Sequence, residues 1–266
     1  MITSDQNTKI KFVRSLSKRK FREKHNCFYI EGHRAVTEGI LSGKRPKMLL
    51  VSESYTKQDS YVELLDICFA QGIDAKQVLL QANDKVFSQL SDTKTPQGVG
   101  GVFQIPAIDE SSLYKMRNIV LLENLQDPGN MGTIIRTADA AGFDAVVCSK
   151  GTVDVYNSKV LRSTVGSIFH IDIVMLEEEA KDFALKLKDR GFMLYCAHPR
   201  GDVSSFETEF GNHNCIVIGN EANGLSDEML SVCDHKIYIP MPGRAESLNA
   251  SVAAALMIYE VVRKSD

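Results

Sequence analysis

Three segments of this 266-residue chain bring together residue types that perform chemistry. In the first, the apolar Leu121-Leu122 leads through Glu123-Asn124-Leu125-Gln126 to Asp127-Pro128, an N-cap followed by proline at the first helical position. Gly129 and Gly132 then fall in the opening of the expected helix, where each glycine costs roughly 1 kcal/mol against alanine. That cost points to a group that must come close to the backbone. Arg136 lies one turn beyond Gly132, so no side chain stands over it from below. A surface arginine on an ordinary helix is the plain alternative.

In the second segment, the apolar Cys215-Ile216-Val217-Ile218 ends in Gly219-Asn220-Glu221-Ala222-Asn223-Gly224-Leu225. A carboxylate between glycines can be held by backbone N–H groups or can bind a cation; a simple turn is the other reading. The third segment, Ile239-Pro240-Met241-Pro242-Gly243-Arg244-Ala245-Glu246-Ser247-Leu248-Asn249-Ala250-Ser251, is a proline-stiffened loop before a long helix. Ser247 is expected to cap that helix, with Asn249 and Ser251 in its first turn. Proline fixes such a loop and glycine admits close approach, so its backbone groups suit a flat heterocycle.

Other chemistries lose ground. No G-x-G-x-x-G follows a strand, since Gly98-Val99-Gly100-Gly101 places Phe103 where the third glycine belongs. Gly39 to Gly43-Lys44-Arg45 is one residue short of a P-loop and lacks its Ser/Thr. There is no G-x-S-x-G elbow and no H-E-x-x-H pair. His213 and Cys215 read as structural.

Periodicity supplies the elements that must position these segments. Strands are expected over Phe28–Glu31, Met48–Ser52, Lys76–Leu80 and Gly98–Phe103, and helices over His33–Ser42, Tyr61–Ala70 and Asp84–Leu90. One helix is expected for the basic segment before them. Together they make a small α/β module, residues 1–105, followed by an aperiodic linker at 106–116 rich in acids and serines. Residues 117–266 alternate again. Their strands are Ile119–Leu122, Ala145–Cys148, Ile171–Val174, Phe192–Ala197, Cys215–Ile218 and Lys236–Ile239. Their helices are Gly129–Ala141, Glu178–Arg190, Asp227–Val232 and Leu248–Lys264. Unbroken apolar strands imply a mostly parallel sheet with ligands at its carboxyl ends.

Composition agrees: 44% apolar and 24% charged residues exclude disorder, collagen and coiled coil. No apolar run is long enough to span a bilayer. The N-terminus is polar and then basic, without the apolar core of a secretion signal, so a cytoplasmic protein is expected. The six cysteines (Cys27, Cys68, Cys148, Cys196, Cys215, Cys233) form no C-x-x-C pair and are expected as reduced core thiols. The net charge of −3 hides an asymmetry. Eight Lys/Arg against two acids give residues 1–25 a charge of +6, leaving −9 for the remainder. Such a stripe, containing Lys18, Arg19, Lys20 and Arg22, suits a polyanion, although a solvated basic helix accounts for the charge run alone.

In this order the three segments resemble the signature motifs of the SpoU/TrmH family of RNA ribose 2′-O-methyltransferases, within the SPOUT superfamily. Asp127 to Ala138 meets D-P-x-N-x-G-x-I-x-R-T-A, Gly219–Leu225 meets G-x-E-x-x-G-L, and Ile239–Met241 with Ser247–Ala253 meets I-P-M…S-L-N-x-S-V-A. Val155 to Gly166 is similar to the family's middle segment. The first 100 residues, with Phe28-Tyr29-Ile30-Glu31-Gly32, look like the small RNA-binding module shared with some ribosomal proteins.

The resemblance implies a SPOUT domain with its C-terminal segment in a deep trefoil knot, S-adenosylmethionine as cofactor and no metal. Gly219, Ile239, Met241 and Leu248 become its expected contacts, with Gly224 and Gly243 required for loop shape. Arg136 becomes the residue acting on the ribose hydroxyl. Asn130, Glu221, Ser247 and Asn249 match the other polar site positions. Asn130 and Asn249 are expected to position the nucleotide and order the loops, and Glu221 to anchor Arg136 or the second motif loop. Ribosomal or transfer RNA, not DNA or a membrane, is the implied partner, and a homodimer the implied assembly. A catalytically silent RNA-binding protein and a base methyltransferase on the same scaffold are the alternatives.

Overall fold

Val120–Leu122, Ala145–Cys148 and Cys215–Ile218 are at most 3% exposed. Such strands must be covered on both faces, as in parallel sheets flanked by helices. The computed structural model describes residues 1–265. These form two compact units: Met1–Ala107 with Tyr156–His170, and Ile108–Val155 with the chain from Ile171 onward.

In chain order the first 107 residues contain α1 (Thr8–Ser15), α2 (Arg19–His25), β1 (Cys27–Glu31), α3 (His33–Leu41), β2 (Met48–Ser52), α4 (Asp59–Ala70), α5 (Ala75–Val78), β3 (Leu79–Ala82), α6 (Asp84–Ser88) and β4 (Val99–Gln104). The remainder contains α7 (Glu110–Leu113), β5 (Asn118–Leu122), α8 (Pro128–Ala140), β6 (Ala145–Cys148), α9 (Ser158–Thr164), β7 (Asp172–Met175), α10 (Ala180–Lys188) and β8 (Met193–Ala197). It ends with β9 (Val203–Ser204), β10 (Asn214–Ile218), α11 (Asp227–Val232), β11 (His235–Tyr238) and α12 (Ala250–Ser265).

The first unit is built on a four-stranded sheet in the order β1-β4-β2-β3, with only β2 and β3 parallel. Ile10, Val13 and Leu16 of the N-terminal segment pack into a core with Leu50, Phe87 and Val102. The basic segment makes two helices, not one. The chain turns at Leu16–Lys18, and the buried Arg22 guanidinium donates 2.6 Å to the Leu16 carbonyl. Lys76 to Val78 is a helical turn where the periodicity predicts a strand. Asp74 caps that turn by accepting the Lys76 N–H at 3.0 Å, which delays the strand to Leu79. The segment Tyr156–His170 belongs to this unit: Tyr156 packs on Phe28 and Phe169 on Phe103, each with ring centroids 4.8 Å apart.

The second unit holds a seven-stranded sheet in the order β7-β6-β5-β10-β8-β11-β9, with every ladder parallel. The chain runs outward from β5 to β7, then returns so that β10 pairs with β5, Leu122 opposite Ile218. The ends of these two strands therefore open side by side, the place where such sheets bind ligands. Within the stretch expected as a linker, Asp109 caps the turn of α7 and Leu113 is fully buried in the sheet core. Helix α12 packs along α8 and buries Ala254, Met257, Ile258 and Val261.

One cysteine expectation is corrected. Cys196 on β8 and Cys233 after α11 are joined as a disulfide, with Cα atoms 6.1 Å apart, while Cys27, Cys68, Cys148 and Cys215 are free and buried. A 37-residue separation carries no pairing signal in sequence; adjacency of β8 and the α11 end creates it.

Candidate active site

The site is assembled from the loops after β5, β10 and β11. Asp127 caps α8 by accepting the Asn130 N–H at 2.8 Å, with Pro128 at the first helical position. This cap leaves the Asp127 and Gln126 N–H groups pointing away from the helix, and Glu221 takes both. Its carboxylate accepts from Asp127 at 2.9 Å, from Gln126 at 3.1 Å and from the Asn130 side-chain amide at 3.0 Å. Burial alone would push the Glu221 carboxyl up, but the Asn130 amide and the two backbone N–H groups hold it below the usual glutamate range. Glu221 therefore ties the second motif loop to the first. Among the described residues no hydrogen bond or ion pair joins it to Arg136; its bonds run to the Gln126–Asn130 turn.

Asn130 passes the connection on. Its amide oxygen accepts from Asn249 Nδ2 at 2.9 Å, and Asn249 Oδ1 in turn accepts the Ser251 N–H at 2.9 Å and the Ser251 hydroxyl at 2.6 Å. The Val252 N–H also reaches Asn249 Oδ1, at 3.3 Å. Asn249, not Ser247, thus caps α12, whose first turn begins three residues beyond Ser247. Asn130 is buried, so a partner for its side chain is obligatory.

The loop Gly219–Leu225 is closed by its own hydrogen bonds. Asn220 and Gly224 exchange N–H···O bonds of 3.0 and 2.9 Å, while Asn220 Oδ1 accepts the Ala222 and Asn223 N–H groups. Gly224 sits at φ +70°, where L side chains are strained. A Cβ on Gly219 would overlap the Gly224 carbonyl. Glycine is needed at both. At Gly243 it is not: the space around a Cβ is open and φ lies outside the left-handed region, so loop shape does not demand glycine there.

A cleft of about 760 Å³ lies against this loop. Its walls include Gly219, Glu221, Gly224, Ile239, Met241, Ser247 and Leu248, together with Ile218 and Ile237. His198, Arg200 and Glu246 also line it, and residue types alone do not single them out; their signal is position, His198 and Arg200 just past the carboxyl end of β8. Asn130, Asn249, Gly243 and Arg136 are not among the lining residues. Arg136 is exposed on α8 and, among the described residues, its guanidinium has no hydrogen-bond or ion-pair partner. Among the described residues no group of three His, Cys, Asp or Glu is placed to hold a metal ion. No helix there is long and apolar enough to cross a membrane.

On the first unit, Lys18, Arg19 and Lys20 are exposed, and Arg19 pairs with Glu23 at 2.6 Å. Arg22 departs from the expected stripe. At 5% exposure it braces the α1–α2 turn and is not presented to a partner.

Residues 117–259 match the SpoU rRNA Methylase family, and residues 7–101 match the MRM3-like substrate binding domain. The 23S rRNA (guanosine(2553)-2'-O)-methyltransferase RlmP of Bacillus subtilis (strain 168) is 36% identical over 260 residues, 98% of either chain. Two solved structures are similar along nearly the whole chain. The AdoMet-bound rRNA methyltransferase from Sinorhizobium meliloti has a TM-score of 0.84 at 29% identity, covering 98% of this chain and 97% of that one. The SpoU methyltransferase AviRb from Streptomyces viridochromogenes, in complex with AdoMet, has a TM-score of 0.85 at 27% identity, covering 98% of each. With the three motif segments hydrogen-bonded to one another beside one cleft and more than half of its length matched, the chain belongs to the SpoU rRNA methylase family.

Proposed function

We propose that this protein transfers a methyl group from S-adenosylmethionine to a ribose 2′-hydroxyl of ribosomal or transfer RNA. The observation that carries the reading is the hydrogen-bonded series Glu221–Asn130–Asn249, which fastens all three motif segments beside one cleft. The cleft fits the cofactor. Ile218, Ile237, Ile239, Met241 and Leu248 give apolar walls for a purine, and the glycine at 219 brings main chain to the surface where no Cβ can stand. The cofactor supplies an electrophilic methyl group.

The chain's own residues must do the rest. A ribose hydroxyl keeps its proton at neutral pH, so its oxygen has to be aligned and its developing negative charge stabilised as the proton leaves. Arg136 serves as a fixed cation in this role. A guanidinium stays protonated in proteins, which makes it an electrostatic stabiliser and not a base. Asn130, Asn249 and Glu221 order the loops, and Ser247 lines the cleft where the nucleotide is positioned.

Arg136 is not among the lining residues of its own chain's cleft, and α12 explains how it can still serve one. On α12, Val252, Leu256 and Tyr259 are 41–50% exposed at spacings of four and three residues, a single apolar row. A second copy covers this row in a symmetric homodimer. Each Arg136 then acts in the partner's site. The knotted C-terminal threading, a metal-free site and a cytoplasmic location complete this reading, with RNA and not DNA or a membrane as partner; Lys18, Arg19 and Lys20 contribute phosphate contacts.

The test is methyl transfer from labelled cofactor to total RNA in EDTA, followed by nuclease digestion and mass spectrometry. A 2′-O-methyl nucleoside is expected. Label on a base, or no transfer, overturns the reading.

A further inference from the structure

Glu123 is the residue that holds the two ends of the cleft loop in register. It follows β5, and its N–H donates 2.9 Å to the carbonyl of Ile218, the last residue of β10 before the loop. Its carboxylate reaches past the loop to Ser226, accepting the Ser226 N–H at 2.8 Å and the Ser226 hydroxyl at 2.7 Å, one on each oxygen. Ser226 is itself committed: its Oγ accepts the Met229 N–H at 3.1 Å as the N-cap of α11. Leu225 and Met229 on either side are buried in the sheet core. One residue thus grips the chain immediately before Gly219 and immediately after Leu225.

Everything between those posts lines the cleft: Gly219 through Leu225, seven consecutive residues. The loop has no slack of its own. Gly219 lies so close to the Gly224 backbone that no Cβ fits between them, and Asn220 closes onto Gly224. A shift of the Ser226 post therefore moves Gly224 against Gly219 and changes the width of the cleft wall. We propose that Glu123 is a positioning residue for cofactor binding, acting through Ser226 to set the spacing of the Gly219–Leu225 loop. The paired acceptors matter more than the side chain's bulk, because two donors 2.7–2.8 Å away, N–H and O–H of one residue, need an oxygen each.

The proposal rests on the reading that this cleft takes S-adenosylmethionine, and the experiment separates the two. Glu123→Gln keeps the shape but offers one acceptor and turns an NH2 toward a donor. Ser226→Ala removes the hydroxyl from the other side. Calorimetry with S-adenosylmethionine alone is run on wild type first; no saturable binding there overturns the cofactor reading and the proposal with it. With wild-type binding in hand, Glu123→Gln is expected to weaken affinity on the order of tenfold, with Ser226→Ala adding little in the double variant. The KM for cofactor rises while the KM for RNA stays within about twofold. Glu123→Asp, which restores two acceptor oxygens, recovers part of the loss. Hydrogen exchange of the 219–225 amides accelerates in Glu123→Gln while exchange in β5 and β10 is unchanged, which distinguishes a loosened loop from a loosened fold. Wild-type cofactor affinity in Glu123→Gln, or exchange that rises equally throughout the sheet, overturns the positioning role.

Discussion

Asn130 and Asn249 lie 119 residues apart in sequence and share a 2.9 Å hydrogen bond between their side chains. Each amide is also committed elsewhere, since Asn130 donates to Glu221 and Asn249 caps α12. A donor–acceptor chain of this kind has a direction, because each amide must present oxygen to one neighbour and nitrogen to the other. Replacing either asparagine by aspartate removes a donor and faces a carboxylate with an oxygen, which a cap or a packing role alone would tolerate.

The first prediction concerns this pair. Asn130→Ala and Asn249→Ala should each destabilise the fold, and the double variant should lose less than the sum by about 1 kcal/mol. Urea unfolding of the four proteins measures the coupling. Strict additivity would mean that the two amides act independently.

Glu221 makes the second prediction, with a pH dependence whose sign follows from its lowered carboxyl pKa. A group held below its unfolded value stabilises the fold above the ordinary carboxylate range and loses that contribution as pH falls through the folded value. Glu221→Gln is therefore expected to cost about 1 kcal/mol at neutral pH, a modest figure because the side chain is exposed. The gap to wild type should close on acidification. A gap that stays constant from pH 7 down to strongly acid conditions would place the stabilisation in packing, not charge.

For the first unit, two kinds of basic residue should separate. Lys18, Arg19 and Lys20 replaced together by Ala should weaken RNA binding and flatten its salt dependence, leaving thermal stability nearly intact. Arg22→Ala should do the reverse and lower the melting temperature, since it removes a buried donor to the Leu16 carbonyl at a cost of about 1–3 kcal/mol. Filter binding across a salt series and calorimetric melting read the two effects. An unchanged salt slope in the triple variant would leave the stripe as a solvated surface.

The last prediction addresses the shared site. An Arg136→Ala chain and a Gly219→Trp chain, each inactive, should restore activity when unfolded and refolded together. Random pairing makes about half the dimers mixed, each with one intact and one doubly damaged site, so roughly a quarter of wild-type activity should return. Mixed dimers are verified by differential tags. Verified mixed dimers without activity would show that each chain builds its own site.

The sequence by itself determined the parallel sheet of the second unit, because strands such as Cys215–Ile218 are apolar at every position and only two-sided burial accommodates that. It also determined the three loops, since Asp127-Pro128, Gly219 to Gly224 and the prolines after Ile239 encode local backbone geometry. Local signals ended there. That Asn249 and not Ser247 caps α12 depends on Asn130 being within reach, and whether a basic residue is a surface charge, like Lys20, or a brace, like Arg22, depends on the turn at Leu16. The insertion of β10 beside β5 decided the site, because it alone sets Glu123 and Glu221 against the loops they hold. Such contacts join residues about a hundred positions apart, and no periodicity records them; they exist only once the strand order is settled.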